Sequence, residues 1–373
     1  MSGGEALILV AYSARALAFS AARAGYAPLA IDMFGDCDTR EASAATIAID
    51  GGLRCGLDVD ALICAVDCLV RDYHPIGLVY GSAFDHQPET IDLLSRRIRI
   101  FGNDPEVVRR AKDPRDLASL CESLGVNHPE VAESAPNPRN GWLAKLRGGS
   151  GGAHVHPVWP NGDTKRGWYF QRRVEGHSIS ALFLGDGQKA KLVGLSLQWT
   201  SPADGAPFRY GGAAGPVAMD AAAALAIQCA VEGLTAALGL KGLNSADFLV
   251  SGGDSYLIDL NPRPGATLDI FDRNDAPLVA RHIAACEGRS AQFASSGGVR
   301  AAEVVYAPAQ IVVGVEGNWP VWLADRSRAG TRIAAGDPLC TVLAEGETVE
   351  SARRLVAARA REAVALFFGE SNP

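Results

Sequence analysis

The stretch Asp247 to Arg263, DFLVSGGDSYLIDLNPR, decides the reading of this chain. Two apolar runs, Asp247 to Val250 and Tyr256 to Asn261, flank the turn signal Ser251-Gly252-Gly253-Asp254, which is the pattern of a β-hairpin. Side chains alternate along a strand, so Asp259 and Asn261 share one face, with Ile258 and Leu260 on the other. Asp247 joins them only if it pairs with Asp259, which a loop of odd length such as Gly252 to Asp254 would produce. A slip of one residue sends it to the opposite face. Taken singly, each acid reads more simply as a solvated charge beside a turn. The apolar setting argues otherwise: Asp259 and Asn261 interrupt a hydrophobic strand, and burying such groups is costly without a partner such as a metal. Two carboxylates and a carboxamide are hard oxygen ligands of the kind that hold Mg²⁺ together with phosphate oxygens and water.

The same residues resemble the C-terminal signature of ATP-grasp ligases, an acid or amide followed twelve residues on by acid-x-Asn-x-Arg. The resemblance implies that Asp247, Asp259 and Asn261 hold magnesium and that Arg263 supports the transferred phosphoryl group or an acyl-phosphate. That family more often has Glu where this chain has Asp259, which would shift the metal slightly.

The whole chain sets wide bounds. Its 373 residues suffice for two or three packed units, charged residues make up 21% and apolar ones 48%, and the net charge is -7. Without a basic patch there is no electrostatic footprint for nucleic acid. The opening MSGGEALILVAY lacks a basic leader, and no run approaches the ~20 apolar residues of a membrane span, so a cytosolic location and no membrane partner are expected. Eight cysteines are scattered without a CxxC pair and read as reduced core thiols. Cys64 and Cys68, one helical turn apart, are expected to be buried packing residues, since no second ligand pair follows to complete a metal site.

Residues 1–110 alternate apolar runs with helical patterns, ALILVAY, ARALAFSAARAG, APLAIDMFG and later DALICAVDCLVRDY with IGLVYG. That order argues for an α/β, Rossmann-like domain of βαβ units on a parallel sheet. The first turn, Ala11-Tyr12-Ser13-Ala14, lacks the GxGxxG that brings backbone to a pyrophosphate, which weakens a nicotinamide or flavin oxidoreductase reading. Ser13, Arg15 and Asp36 fall at strand ends, where they would line a substrate pocket or stand as surface loop residues. A helix over DPRDLASLCESLG follows, capped by Asp113 with Pro114 at its first position and closed by Gly125. Next come the strand pair GWYFQRRV and SISALFLGDG, a helix from Asp220 to Leu238, and the opening hairpin. The last part, from Val299, is strand-rich with glycine turns and ends in the helix ESARRLVAARAREAVALFF.

Gly148-Gly149-Ser150-Gly151-Gly152 after Trp142-Leu143-Ala144-Lys145 can present backbone N–H groups to phosphate, although it lacks a P-loop ending and glycine-rich loops are often plain connectors. Lys145, alternating into the interior of an apolar strand, needs an anion. Lys112 by itself reads as a surface charge beside a helix start. The ATP-grasp resemblance extends to both lysines. It implies that Lys112 and Lys145 bind phosphates, that residues 148–152 form a mobile flap over the β- and γ-phosphates, and that QRRVEGHS, from Gln171 to Ser178, is the hinge between two lobes. Gln171 would meet the adenine amine, Arg172 and Val174 would offer main-chain contacts, and Ser178 or His177 would take the place of the Glu that binds ribose in many relatives.

The fold then implied is an ATP-grasp fold of two α+β lobes, 111–177 and 178–295, preceded by the Rossmann-like domain 1–110 and followed by a small β-rich C-terminal domain, 296–373. The activity implied is ATP- and Mg²⁺-dependent joining of a small-molecule carboxylate to an amine through an acyl-phosphate, with Arg263 and Lys145 catalytic. Arg209-Tyr210, in the glycine-rich RYGGAAGP, would contact a carboxylate substrate or belong to a connector. FGNDPEVVRRAKDPRDL and GDPLCTVLAEGET resemble predicted carboligases of methanogens and methylotrophs, whose neighbours include tyramine-glutamate ligases, and so suggest the synthesis of a one-carbon carrier cofactor. A homodimer is a further expectation, although the oligomeric state is not readable from the sequence. The alternatives are a non-catalytic nucleotide-binding protein and a carboxylase-type ATP-grasp enzyme, the latter weakened because no biotin-type lysine motif is present.

Overall fold

A computed structural model describes residues 4–52, 56–159, 165–289, 297–314, 317 and 319–369. The first unit is a parallel sheet whose strands lie in the order Ala45–Ala48, Ala27–Asp32, Ala6–Val10, Leu78–Tyr80, Ile100–Phe101. Its central strand is buried on both faces, which is why ALILV reads as an unbroken apolar run. Leu7 and Leu9 meet Leu17, Ala18 and Ala21 of helix Arg15–Arg23 on one side. Ile8 and Val10 meet Leu62, Val66 and Leu69 of helix Val59–Tyr73 on the other. That second stripe turns Cys64 and Cys68 outward, so the expected buried pair is exposed, and the seven described cysteines are all free thiols. The strand order reverses at Ala6–Val10, which opens a crevice at its carboxyl end. Asp32 ties the loops there together, accepting hydrogen bonds from the N–H groups of Ala14 (3.0 Å) and Gly35 (2.7 Å).

Helix Pro114–Leu124 begins and ends as its sequence dictates. The Asp113 carboxylate accepts from the N–H groups of Arg115 and Asp116, and Gly125 takes the left-handed conformation at φ 68°. Four antiparallel strands follow, in the order Val155–Pro157, Trp142–Leu146, Trp168–Arg172, Val131–Ala132. Trp168–Arg172 and His177–Asp186, expected to pair, lie in different sheets. The second of these finds an unbroken register from His177↔Val250 to Asp186↔Lys241, a longer ladder than its five-residue neighbour offers. Residues 173–176 are therefore a link between lobes instead of a hairpin turn.

The second lobe is built on an eight-stranded sheet in the order Asp254–Asn261, Lys241–Ser251, His177–Asp186, Ala190–Thr200, Tyr210–Gly215, Val299–Tyr306, Pro338–Gly346, Leu323–Ala324. Helix Ala221–Leu238 lays Ile227, Val231 and Leu234 against it. By length and composition that helix would pass as a membrane span, although no run in the sequence approaches ~20 apolar residues; in the structure one face of it is core. The C-terminal part is rich in strands, as expected, and those strands continue the same sheet, Val299–Tyr306 bonding to Tyr210–Gly215. The border expected at 295/296 lies outside the described residues. Helix Val349–Phe368, opened by a Thr348–Ser351 capping box, covers this end with Ala352, Val356 and Ala363.

Candidate active site

The three units enclose a cavity of about 880 Å³, within the range of small-molecule sites. Its floor is the opening hairpin. Asp247 pairs with Asp259, as the shared-face reading requires, but by a different route. The loop is the two residues Gly252-Gly253 between the paired Ser251 and Asp254, with φ of 60° and 91°. Two positive φ values in succession define the tight turn that glycine pairs favour, and an even loop would put Asp247 out of step with Asp259. A β-bulge restores the step: Phe248 faces Leu257, Asp247 faces Asp259, and Ile258 is the extra residue. The expected odd loop is thus corrected to an even loop plus a bulge. The bulge has a second consequence, because the freed Ile258 carbonyl accepts a hydrogen bond from Lys145 Nζ at 3.0 Å.

Around this floor the charges interlock. Lys112 Nζ donates to Asp259 Oδ1 at 2.9 Å and to Asn261 Oδ1 at 2.8 Å. Asn261 Nδ2 donates to Asp247 Oδ2 at 3.1 Å, and Gln198 Nε2 reaches Asp247 Oδ1 at 3.3 Å. Burial, reinforced by the neighbouring Asp259 carboxylate, raises the Asp247 carboxyl above its ordinary range. Burial pushes Asp259 the same way, but Lys112 and Lys145 together outweigh it and hold this carboxyl below the usual range. Lys145, 8% exposed, is lowered by burial against the pull of Asp259 and Asp247. A protein ammonium already bridges Asp259 and Asn261. Their oxygens, with Asp247 alongside, therefore form a donor set fit for a hard cation that draws its remaining ligands from phosphate.

The other sequence-predicted residues fall around the same cavity, with one exception. Gly148 to Gly152 form its lid edge. A Cβ on Gly148 (φ 66°) would lie 2.5 Å from the Asp85 carbonyl, and one on Gly152 (φ 71°) 2.1 Å from that of Phe208, so the loop settles onto both neighbouring units only as glycine. The Tyr210 N–H donates to the Gly151 carbonyl at 2.9 Å, which fastens the loop to the second lobe. Gln171, Arg172, Val174, His177 and Ser178 line the opposite wall. Gln171 is buried, and its Oε1 accepts from Lys145 at 3.1 Å, so its side-chain carbonyl supports the lysine. Ser178 Oγ bonds to Gln198 Oε1 at 3.1 Å and so joins the chain that ends on Asp247. Arg209 is the exception, and its contacts are those of the connector reading. Its guanidinium donates to the carbonyls of Ser201 (2.9 Å) and Gly336 (3.0 Å) and stacks 3.5 Å above the Tyr306 ring, outside the cavity lining, whereas Tyr210 lines it.

Sequence reading missed three participants. Arg263 lies in a buried ion pair with Asp85 of the first unit, Nη2 to Oδ2 at 2.7 Å, and also donates to Asn261 Oδ1 at 3.2 Å. Nothing in AFDHQPE marks Asp85 as a partner for a residue so far along the chain. His154, just past the flap, lines the cavity and is lowered to about 4 by burial and by the nearby Lys145. Gln198 was indistinguishable from any strand polar residue. Elsewhere in the cavity lining, Ser13, Arg15 and Asp36 are brought together with Asp325 of the C-terminal part.

Residues 111–267 match the family model of the ATP-grasp domain. The chain is similar in structure to Rhizobium etli pyruvate carboxylase (TM-score 0.72, 14% identity), with 96% of this chain aligned to 37% of that one, so it spans well under half that enzyme's length. It is also similar to the biotin carboxylase domain of Hydrogenobacter thermophilus 2-oxoglutarate carboxylase, a dimer in complex with MgADP, ADP and bicarbonate (TM-score 0.71, 13% identity, 96% and 89% covered). A third likeness is to the L-amino acid ligase of Bacillus licheniformis (TM-score 0.66, 14% identity, 97% and 98% covered). No curated protein matches by sequence. The fold is the ATP-grasp fold, with a parallel-sheet domain ahead of it and a β-rich part behind.

Proposed function

We propose that the protein is an ATP- and Mg²⁺-dependent ligase that activates a carboxylate as an acyl-phosphate and joins it to an amine, releasing ADP and phosphate. The observation that carries this reading is the set of Lys112, Lys145, Asp247, Asp259 and Asn261, drawn from three elements onto one cavity floor under a glycine loop. Asp247, Asp259 and Asn261 would hold magnesium, which supplies neutralisation of the phosphate charge. Lys112 and Lys145 bind the β- and γ-phosphates, Lys112 giving up its present bonds to Asp259 and Asn261 as it does so. Residues 148–152 close over the phosphates and exclude water, and residues 171–178 receive the adenine and ribose.

In the first step a carboxylate oxygen of the donor attacks the γ-phosphorus, the bond to the β,γ-bridging oxygen breaks, and ADP leaves. In the second the amine nitrogen attacks the acyl carbon, phosphate leaves, and the nitrogen loses a proton to solvent. Arg263, oriented by Asp85, faces the anionic intermediate. Support for an amide-forming outcome comes from the likeness to an amino-acid ligase and from the match to the ATP-grasp family model. Within this reading the products belong to the assembly of a one-carbon carrier cofactor of the methanofuran or methanopterin type, made in the cytoplasm by a homodimer.

The test is ADP release from MgATP in a matrix of carboxylates (amino acids, bicarbonate) against amines (amino acids, aromatic amines). ADP that requires one member of each class, with amide formed in equal amount, is expected. ADP with bicarbonate alone would point to carboxylation instead, and ATP binding without ADP in any combination to a non-catalytic binder.

A further inference from the structure

Gln171, expected to meet the adenine amine, is engaged elsewhere. It is 3% exposed, and Lys145 Nζ donates to its Oε1 at 3.1 Å, so that oxygen serves a cation. The first N–H groups of the link between the lobes are committed as well. Arg172 donates to the Glu130 carbonyl and Arg173 to the Gly141 carbonyl, each at 2.8 Å. An amine on a bound purine needs an acceptor, and a side chain on the facing segment carries one.

His128 follows helix Pro114–Leu124, is half-buried, and lines the cavity with Lys145 and Gln171. The Leu257 N–H donates to the Asn127 carbonyl at 2.9 Å, which fastens this segment to the hairpin beside Ile258, whose own carbonyl takes Lys145. The tautomer of the ring follows from its neighbour. Nδ1 lies 2.7 Å from the Pro129 carbonyl, which can only accept, so Nδ1 carries the proton and Nε2 is left as a lone pair. Nε2 takes no hydrogen bond from any described residue and is not sealed from the cavity. Burial, with Lys145 adding to it, lowers the ring to about 4 in spite of the Pro129 bond, so at neutral pH it is uncharged and free to accept. Lys112, Lys145 and Arg263 supply cations for the anionic parts of a ligand. A neutral acceptor on a wall shared with Leu117, Leu143 and Leu249 calls instead for an N–H on a flat, apolar body.

We infer that His128 Nε2 accepts a hydrogen bond from the exocyclic amine of the purine, and so selects a 6-aminopurine nucleotide over one with hydrogen or oxygen at that position. The inference rests on the ATP-dependent ligase reading and adds to it the side chain that chooses the base. Hydrogen in place of the amine leaves Nε2 unmatched, and a 6-oxo group sets its own lone pairs against it.

The experiment is calorimetric binding of three magnesium triphosphates to the full chain: ATP, purine riboside triphosphate, with hydrogen in place of the amine, and inosine triphosphate, with oxygen. Wild type should bind ATP at least about tenfold more tightly than purine riboside triphosphate, the worth of one matched acceptor, and inosine triphosphate more weakly still. His128→Leu should bind ATP no better than purine riboside triphosphate. His128→Gln, which sets an amide oxygen near the place of Nε2, should keep the preference. Equal binding of ATP and purine riboside triphosphate to wild type, binding of none of the three, or a preference that survives His128→Leu and so belongs to main-chain carbonyls of the link would overturn the inference. A preference that His128→Leu erases, in a protein that releases no ADP with any pair of carboxylate and amine, would instead sink the ligase reading and leave the base contact standing.

Discussion

The two ends of one cavity solve the same electrostatic problem in opposite ways. At the hairpin end, Lys112 bridges Asp259 and Asn261, Asp247 accepts from Asn261 and Gln198, Lys145 donates to Gln171 and the Ile258 carbonyl, and each of these charged groups has a partner. At the other end, Asp36 is buried with an oxygen unmatched while its acidic neighbours are satisfied. A balanced set can exchange internal partners for an incoming one of the same sign pattern, as Lys112 trades Asp259 for a phosphate. An unbalanced carboxyl is met instead by its own proton, as burial and the neighbouring carboxylates raise Asp36 to about 8. The first behaviour suits a multiply charged anion that arrives with its own metal.

The comparison breaks most visibly at Asp259. Asp259→Ala removes one carboxylate from the floor and leaves Lys112 half-satisfied, so ADP release in the substrate matrix should fall about 10³-fold, with an unchanged circular dichroism spectrum. Comparable turnover in the variant would mean the floor is not where phosphate is handled. Lys145→Ala strands the Ile258 carbonyl and the Gln171 side chain and deletes a phosphate cation. A loss of about 10²-fold in kcat/KM is expected, and a change in KM for ATP alone would reduce Lys145 to a uniform binder.

Asp85→Ala tests the seam between the first unit and the second lobe. It leaves Arg263 buried without its partner, for which about 3 kcal/mol of destabilisation is expected in urea unfolding. An unchanged midpoint would show that Arg263 finds another anion.

The hairpin end was legible because its ligands are close in sequence and on strands, where period-two alternation fixes the face. Even so, the turn was misread: Gly252 and Gly253 form an even loop, and only the bulge at Ile258 makes the register right. Bulges leave no mark in hydrophobic alternation, since Ile258 is as apolar as its neighbours. The far end was legible only in part. Ser13, Arg15 and Asp36 stood out as strand-end residues of a parallel sheet, whereas Asp325 and Ser327 arrive from a loop near the other terminus, and no local pattern announces contacts across 310 and 312 positions. Asp85 escaped for the same reason. Arg209 could be read either way because a cation in a glycine-rich segment looks the same whether it faces a ligand or, as here, two backbone carbonyls.

The pH dependence separates the two ends further. A carboxyl raised to about 8 in the folded state binds its proton more tightly than the same group unfolded, near 4, so its contribution to stability is intact below about 4 and is lost as pH rises towards about 8. Ligand-free wild type should therefore lose more of its melting temperature between pH 5 and pH 8 than Asp36→Asn does. Identical slopes would place Asp36 in water. The smallest effect belongs to Arg209→Ala, where KM values should move less than about twofold and only stability should drop, as for the loss of two backbone contacts. A larger change in KM would bring Arg209 back to the substrate.

The central claim is that the Asp247–Asp259–Asn261 face holds a metal–nucleotide complex. Its most direct test is titration of a non-hydrolysable ATP analogue into wild type and Asp259→Ala, each with and without Mg²⁺. The account predicts that magnesium tightens binding to wild type, and that Asp259→Ala weakens the magnesium-dependent part about 10- to 100-fold while the metal-free affinity hardly changes. Equal magnesium dependence in the two proteins would contradict it.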